Sequence, residues 1–245
     1  MKVAKGNYTG YFQRRGGSKD AERRLNLLPA DKLVNKVILD IGCSSGEFTM
    51  IIAKKFEPRS ILGIDIDDKL IGTASAQLQT EKSSYLLRNS DYNTSNKKKL
   101  IPRIIQKPTV ACSSKKCERS LYPHNVTFTC TTILDNNIRS NSYDTICCLS
   151  VVKWIHLDQG DNGLIDFFYR VHDLLKDDGF LILEYQPWAS YDRAVKERKQ
   201  EKIYQNYCQL ALRPEHFEII LGTHLLTYLL TYLLTYSLTH SLTRG

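Results

Sequence analysis

The chain has 245 residues, 42% of them hydrophobic and 24% charged, the make-up of one large globular domain with appendages. Its formal charge of +8 is unevenly placed: residues 1–120 carry 23 Lys/Arg against 12 Asp/Glu, and residues 121–245 carry 11 against 14. Seven Cys, an odd number without paired spacing, fit a reducing compartment best, and "MKVAKGNYTG" lacks the apolar run of a secretory signal.

In chain order, "KVILDIGCSSG" (36–46) reads as a buried strand closing on a tight Gly turn, and "GEFTMIIAKKF" (46–56) as an amphipathic helix with Phe48, Ile51 and Ile52 along one side. "SILGIDID" (60–67) is a second strand and "DKLIGTASAQLQTEK" a second helix. Residues 80–122 are polar and basic without a period, and the reading there is a long insertion. Cys112 and Cys117 within it have no second pair or His cluster beside them, so no metal site is expected. "NVTFTCTTIL" (125–134) alternates like a strand, and "YDTICCLSVV" (143–152) is a fully buried one. A helix over 162–176 and a strand "GFLILEYQ" (179–186) follow. Alternating strands and helices predict a doubly wound, mostly parallel α/β sheet.

"HLLTYLLTYLLTYSLTHSLT" (224–243) repeats every four residues. Three copies of the tetranucleotide TTAC encode Leu-Leu-Thr-Tyr, and three of TCAC encode Ser-Leu-Thr-His, so the tail has the form of simple repeat DNA read as protein. Residues 219–243 carry no Asp, Glu, Lys or Arg, but the recurrence of Thr and Tyr argues against a membrane span. The expected organisation is a domain over 1–221, with the insertion at 80–122, and a low-complexity tail over 222–245.

Chemistry concentrates at the carboxyl ends of the strands. "LDIGCSSG" sets Asp40, Gly42 and Gly46 between strand and helix, where Gly42 lets backbone approach a ligand. The spacing is not that of a dinucleotide-binding turn. D-x-G-x-x-x-G resembles the first motif of class I S-adenosylmethionine-dependent methyltransferases, and Asp65, ending the second strand, stands where a carboxylate accepts bonds from ribose hydroxyls.

The stretch "CLSVVKWIHLDQGDNGL" (148–164) then leaves an apolar run through Lys153, Trp154, His156, Asp158 and Asp161. It resembles the signature of the bicoid-interacting family of RNA methyltransferases, in its methylphosphate-capping branch. "GNYTGYF" (6–12), "RLNLL" (24–28), "GIDIDDKLI" (63–71), "LEYQPWASY" (183–191) and "IYQNYCQLALRPEHF" (203–217) match in the same order, and the likeness covers roughly residues 5–221.

The resemblance implies a class I, Rossmann-like fold and methyl transfer from S-adenosylmethionine to the 5′ γ-phosphate of small nuclear RNA of the 7SK kind. The setting it implies is the nucleus, with no membrane and no metal; ribonucleoprotein proteins are further partners, and the chain is expected to be a monomer. A sibling branch acts on 5′-monophosphate RNA in the cytoplasm, and a catalytically inactive RNA 5′-end-binding remnant is the alternative outside enzymes. By position in the family pattern, Lys153, Arg15 and Arg213 are the cations that hold the phosphates, with Tyr11 beside them. Phe12, Arg24, Gly42, Cys43, Asp65, Ile66, Thr131, Thr132 and Leu149 are the cofactor positions, Arg24 as a fork for the methionine carboxylate. Trp154 and Trp188 are read as packing residues, and His156 as a structural hydrogen-bonding residue.

Three departures stand out. Thr131 and Thr132 replace the family's Gly-Asn-Tyr, Tyr185 replaces a Pro, and the repeat tail occupies the place of the final two strands. A sheet ending at its fifth strand, with an exposed edge, is therefore expected.

Overall fold

The computed structural model describes residues 18–95, 121–221 and 230–233. In chain order these form α1 (Ser18–Leu27), β1 (Val37–Ile41), α2 (Glu47–Phe56), β2 (Ser60–Asp65), α3 (Asp68–Ser95), β3 (Val126–Cys130) and β4 (Tyr143–Leu149). Then come α4 (Val152–Leu174), β5 (Leu175–Glu184), α5 (Trp188–Arg198), α6 (Glu201–Gln209), α7 (Phe217–Ile220) and β6 (Leu230–Leu233). Single 3-10 turns lie at Ala30–Lys32 and Pro214–His216.

The sheet is parallel throughout, in the order β3-β2-β1-β4-β5-β6. Alternation along each strand sends neighbouring residues to opposite faces. Leu39, Cys148 and Leu181 join a core with Leu164, Phe167, Phe168 and Val171 of α4. Their neighbours Ile38, Cys147 and Ile182 join a second core with Leu25, Met50, Ile52 and Phe56 of α1 and α2. Burial on both faces explains why these strands read as unbroken apolar runs. Cys147 and Cys148 are fully buried free thiols, small hydrophobes filling one face each.

The chain leaves β1 for β2 on one side and returns through β4 on the other, so the sheet's direction of winding reverses between β1 and β4. The carboxyl ends of those two strands border the crevice where such sheets bind ligands.

Several boundaries differ from the sequence reading. The apolar run at 143–152 stops as a strand at Leu149, because Ser150 adopts a positive φ of 66° and donates its N–H to the Glu184 carbonyl at 2.9 Å. Helix then begins at Val152, ten residues before the expected 162, and breaks at Gly160 (φ 72°, ψ −172°). The amphipathic pattern that marked 162–176 is thus the second half of a two-part helix. The expected insertion at 80–122 also begins too early. Residues 80–95 contain neither Gly nor Pro, and α3 continues through them to Ser95 without an apolar stripe. Residues 96–120 of that insertion, and residues 1–17, lie outside the described residues.

The expectation of a sheet ending at β5 is corrected too. Leu230–Leu233 of the repeat tail pairs with β5 in parallel, with Phe180 opposite Leu230 and Leu183 opposite Leu233. A four-residue repeat of Leu, Thr and Tyr suits strand geometry well enough to cover that edge.

Candidate active site

The turn from β1 into α2 is the floor of the site. Gly42 and Cys43 donate their N–H groups to the Ile64 carbonyl at 2.8 and 3.0 Å, which locks the turn onto β2. Gly42 has φ +71°, and a Cβ there would fall 2.2 Å from a Val151 methyl. The missing side chain therefore makes room for Val151 of the β4–α4 connection, rather than for a ligand as the sequence suggested. Gly46 (φ +77°) is closed in by Phe128 and Ala74 in the same way.

Above this turn lies a cavity of about 300 Å³, within the size range of small-molecule sites. Of the nine expected cofactor positions, Arg24, Gly42, Cys43, Asp65, Ile66, Thr131, Thr132 and Leu149 line it. Phe12 lies outside the described residues, as do Tyr11 and Arg15. Asp65 closes β2 with each carboxylate oxygen accepting one backbone bond, Oδ2 from Ser44 N–H at 3.0 Å and Oδ1 from Asp67 N–H at 2.9 Å. Asp65 lines the cavity, and burial raises the carboxyl's pKa despite those bonds. Thr131 donates its N–H to the Asp65 carbonyl (3.0 Å) and its hydroxyl to Asp135 (2.7 Å), so it braces the cavity wall. Burial keeps the Cys43 thiol protonated, which makes it wall and not nucleophile.

At the other end, Arg24 of α1 is 5% exposed and donates from Nη2 to Glu184 Oε2 at 2.5 Å, with its guanidinium 4.6 Å from the Phe48 ring. The expected fork is therefore half used by protein. Its buried Nε has no hydrogen-bond partner among the described residues, a donor oriented by the pair and still short of an acceptor. Beside it Asp40 accepts a 2.5 Å bond from the Thr49 hydroxyl. Burial lifts the Asp40 carboxyl to about 6, against the Thr49 bond and the Arg24 charge. A cavity with carboxylate acceptors at one end, and a guanidinium and a carboxylate at the other, fits a ligand that ends in ribose hydroxyls on one side and an amino acid on the other.

The expected phosphate cations Lys153 and Arg213 stand outside the lining. Lys153, in the first turn of α4, is 8% exposed; its ammonium donates to Ser190 Oγ at 2.8 Å and lies 4.6 Å from the Trp154 ring. Trp154 itself lines the cavity. The Arg213 guanidinium sits 3.5 Å over the Trp188 ring, which stacks on Tyr191 and Tyr207 at 4.9 and 5.0 Å. Lys153 and Arg213, sixty residues apart in the chain, thus each contact the first turn of α5, one through Ser190 and the other through Trp188.

A third cation was missed by the sequence reading. The Arg198 guanidinium lies 4.2 Å from the Trp154 ring, so it shares that indole with Lys153. In sequence, Arg198 is one of several basic residues in "DRAVKERKQ", and its position follows only once α5 has packed its Tyr191, Ala194 and Val195 stripe beside Trp154. His156 is buried and hydrogen-bonded on both ring nitrogens, to Tyr191 and Asp161. Among the described residues no His/Cys/Asp/Glu group able to hold a metal is found, and no helix is long and apolar enough to cross a membrane.

The strand order, the Gly turn and the carboxylate at the end of β2 define a class I, S-adenosylmethionine-dependent methyltransferase, and a methyltransferase family model matches residues 34–112. The chain belongs to the Bicoid-interacting protein 3 (Bin3) family, whose model matches residues 143–238. It is 36% identical over 224 residues to a probable RNA methyltransferase of Arabidopsis thaliana, with 88% of this chain and 70% of that one covered. Against the 7SK snRNA methylphosphate capping enzyme of Homo sapiens the identity is 32% over 241 residues, with 88% and 34% covered. Against the U6 snRNA methylphosphate capping enzyme Amus of Drosophila melanogaster it is 35% over 215 residues, with 86% and 62% covered. The chain thus spans about a third of the human enzyme's length.

Proposed function

We propose that the chain methylates the 5′ γ-phosphate of a small non-coding RNA, as a nuclear monomer of the capping branch. The observation that carries this reading is Trp154: one side chain lines the donor cavity and also lies against Lys153 and Arg198, so a concentration of positive charge adjoins the place where the methyl group is held.

When bound, S-adenosylmethionine supplies an electrophilic methyl group on a sulfonium. Asp65 takes its ribose hydroxyls, and Arg24 takes its carboxylate through the Nε that lacks a protein acceptor. A terminal phosphate oxygen is already anionic, so no residue need remove a proton. The burial that lowers the pKa of His156 leaves a neutral imidazole, consistent with a structural part. Lys153 and Arg213, with Arg15 and Tyr11 from the N-terminal segment, hold the remaining phosphate oxygens and aim one at the cavity. Positioning of this kind contributes up to about 7–11 kcal/mol in favourable cases, and fixed cations offset charge without reorganising.

The test is transfer of labelled methyl from S-adenosylmethionine to RNAs of one sequence bearing a 5′-triphosphate, a 5′-monophosphate or a 5′-hydroxyl. The triphosphate RNA is expected to be labelled fastest, and Lys153→Ala to abolish the difference between ends. Preference for the monophosphate end would move the chain to the sibling branch. Donor binding without transfer to any end would make it a binding remnant.

A further inference from the structure

The pair His156–Asp161 has the look of a proton relay, yet neither residue lines the donor cavity and the imidazole is 0% exposed. We propose that Asp161 is a positioning residue that fixes Arg213 in the RNA-phosphate site by holding the backbone just ahead of it. The proposal rests on the reading of Arg213 as a phosphate ligand given above.

The geometry forms a closed circuit. Between α6 and the turn at Pro214–His216 the chain is extended, with Arg213 at φ −122° and ψ 154°. The N–H groups of Ala211 and Leu212 need an acceptor that neither helix nor sheet supplies. Asp161 provides it: Oδ2 accepts from Ala211 N–H at 2.8 Å and from Leu212 N–H at 3.3 Å. Its Oδ1 accepts from His156 Nε2 at 2.8 Å. With that proton on Nε2, Nδ1 is left to accept from the Tyr191 hydroxyl, at 3.3 Å. Tyr191 stacks on Trp188, and Trp188 carries the Arg213 guanidinium. The same carboxylate therefore bears on Arg213 twice, through the backbone of Ala211 and Leu212 just ahead of it and through the aromatic plate beneath its side chain, while Arg213's own N–H donates to His216 Nδ1 at 3.2 Å.

The electrostatics keep the brace constant. Against the opposing effect of burial, the bonds from His156, Ala211 and Leu212 hold the Asp161 carboxyl below the usual range. Burial keeps His156 neutral. A second anchor lies one turn away, where Asn206 of α6 donates to the Leu157 and Asp158 carbonyls at 3.0 and 2.8 Å. That anchor holds α6 itself, so loss of the Asp161 bonds would loosen Ala211 and Leu212 ahead of Arg213 without releasing the helix.

The experiment is a double-variant cycle on the full chain, reading KM for 5′-triphosphate RNA and, separately, S-adenosylhomocysteine affinity by calorimetry. Arg213→Ala and Asp161→Ala are each expected to raise the RNA KM roughly tenfold, and the double variant to be no worse than Arg213→Ala alone. S-adenosylhomocysteine affinity should stay within about twofold. Asp161→Asn keeps an acceptor for the two backbone N–H groups and is expected to recover most of the loss; it also serves if the alanine variant does not fold. Losses that multiply, or an unchanged KM in Asp161→Ala or a full loss in Asp161→Asn, would overturn the positioning role. An unchanged KM in Arg213→Ala would instead overturn the phosphate-ligand reading, and the positioning role with it.

Discussion

Arg24 and Glu184 are joined across 160 residues by a buried bond of 2.5 Å that ties helix α1 to the carboxyl end of β5, beside the part of the cavity that Arg24 and Asp40 line. Removing one partner of such a pair leaves the other charge buried and uncompensated, at a cost of about 3–5 kcal/mol. Arg24→Ala is expected to lower the melting temperature by roughly 10 °C and to weaken S-adenosylhomocysteine at least tenfold. Calorimetry reads both; an unchanged melting temperature would show that the pair does not hold α1 in place.

Asp40 gives the fold a pH dependence of known sign. Its folded pKa of about 6 lies above the unfolded 3.8, so the group's stabilising contribution is full below 3.8 and is lost as pH rises through 6. The span is on the order of 3 kcal/mol. Asp40→Asn cannot titrate there, so the melting temperature of the variant relative to the parent should be several degrees more favourable at pH 7.5 than at pH 4.5. A gap that does not change with pH would contradict the burial-driven shift.

Arg198 shares the Trp154 indole with Lys153. Arg198→Ala is expected to raise the RNA KM several-fold and to make binding less sensitive to salt by about one ion, as for a lost phosphate contact. Trp154→Leu, which removes the plate under both cations, should cost more than either alone. Salt titration of RNA binding checks both, and an unchanged salt slope in Arg198→Ala would restrict Arg198 to packing.

The repeat tail contributes a strand to the sheet. Leu230–Leu233 pairs with β5 from Phe180 to Leu183. Truncation after Leu221 would uncover that edge, and open edges pair with other chains. The shortened chain is expected to melt lower and to associate on gel filtration; a monomer of unchanged melting temperature would show the β6 pairing to be dispensable.

Most of the sheet was legible because its strands are buried on both faces and read as long apolar runs, while the D-x-G-x-x-x-G turn and Asp65 fixed the cavity's floor and rim. What escaped was decided by tertiary contact. Helix over 152–161 hides behind Lys153, Trp154 and His156, whose reasons for burial lie in α5 and α6. The Glu184 partner of Arg24 could not be found from local pattern, because the two sit on separate elements that meet only when the sheet is complete. The reason for Gly42 likewise lay elsewhere in the chain, in the side chain of Val151.

The most direct measurement is where the methyl group goes. Triphosphate-ended RNA is treated with the full chain and methyl-labelled S-adenosylmethionine, then digested so that the terminal phosphates separate from the nucleosides. The label is expected on the γ-phosphate alone, and to be lost in Lys153→Ala. Label recovered on a base or a ribose hydroxyl would contradict the assignment of the cation cluster beside Trp154 as the seat of the accepting phosphate.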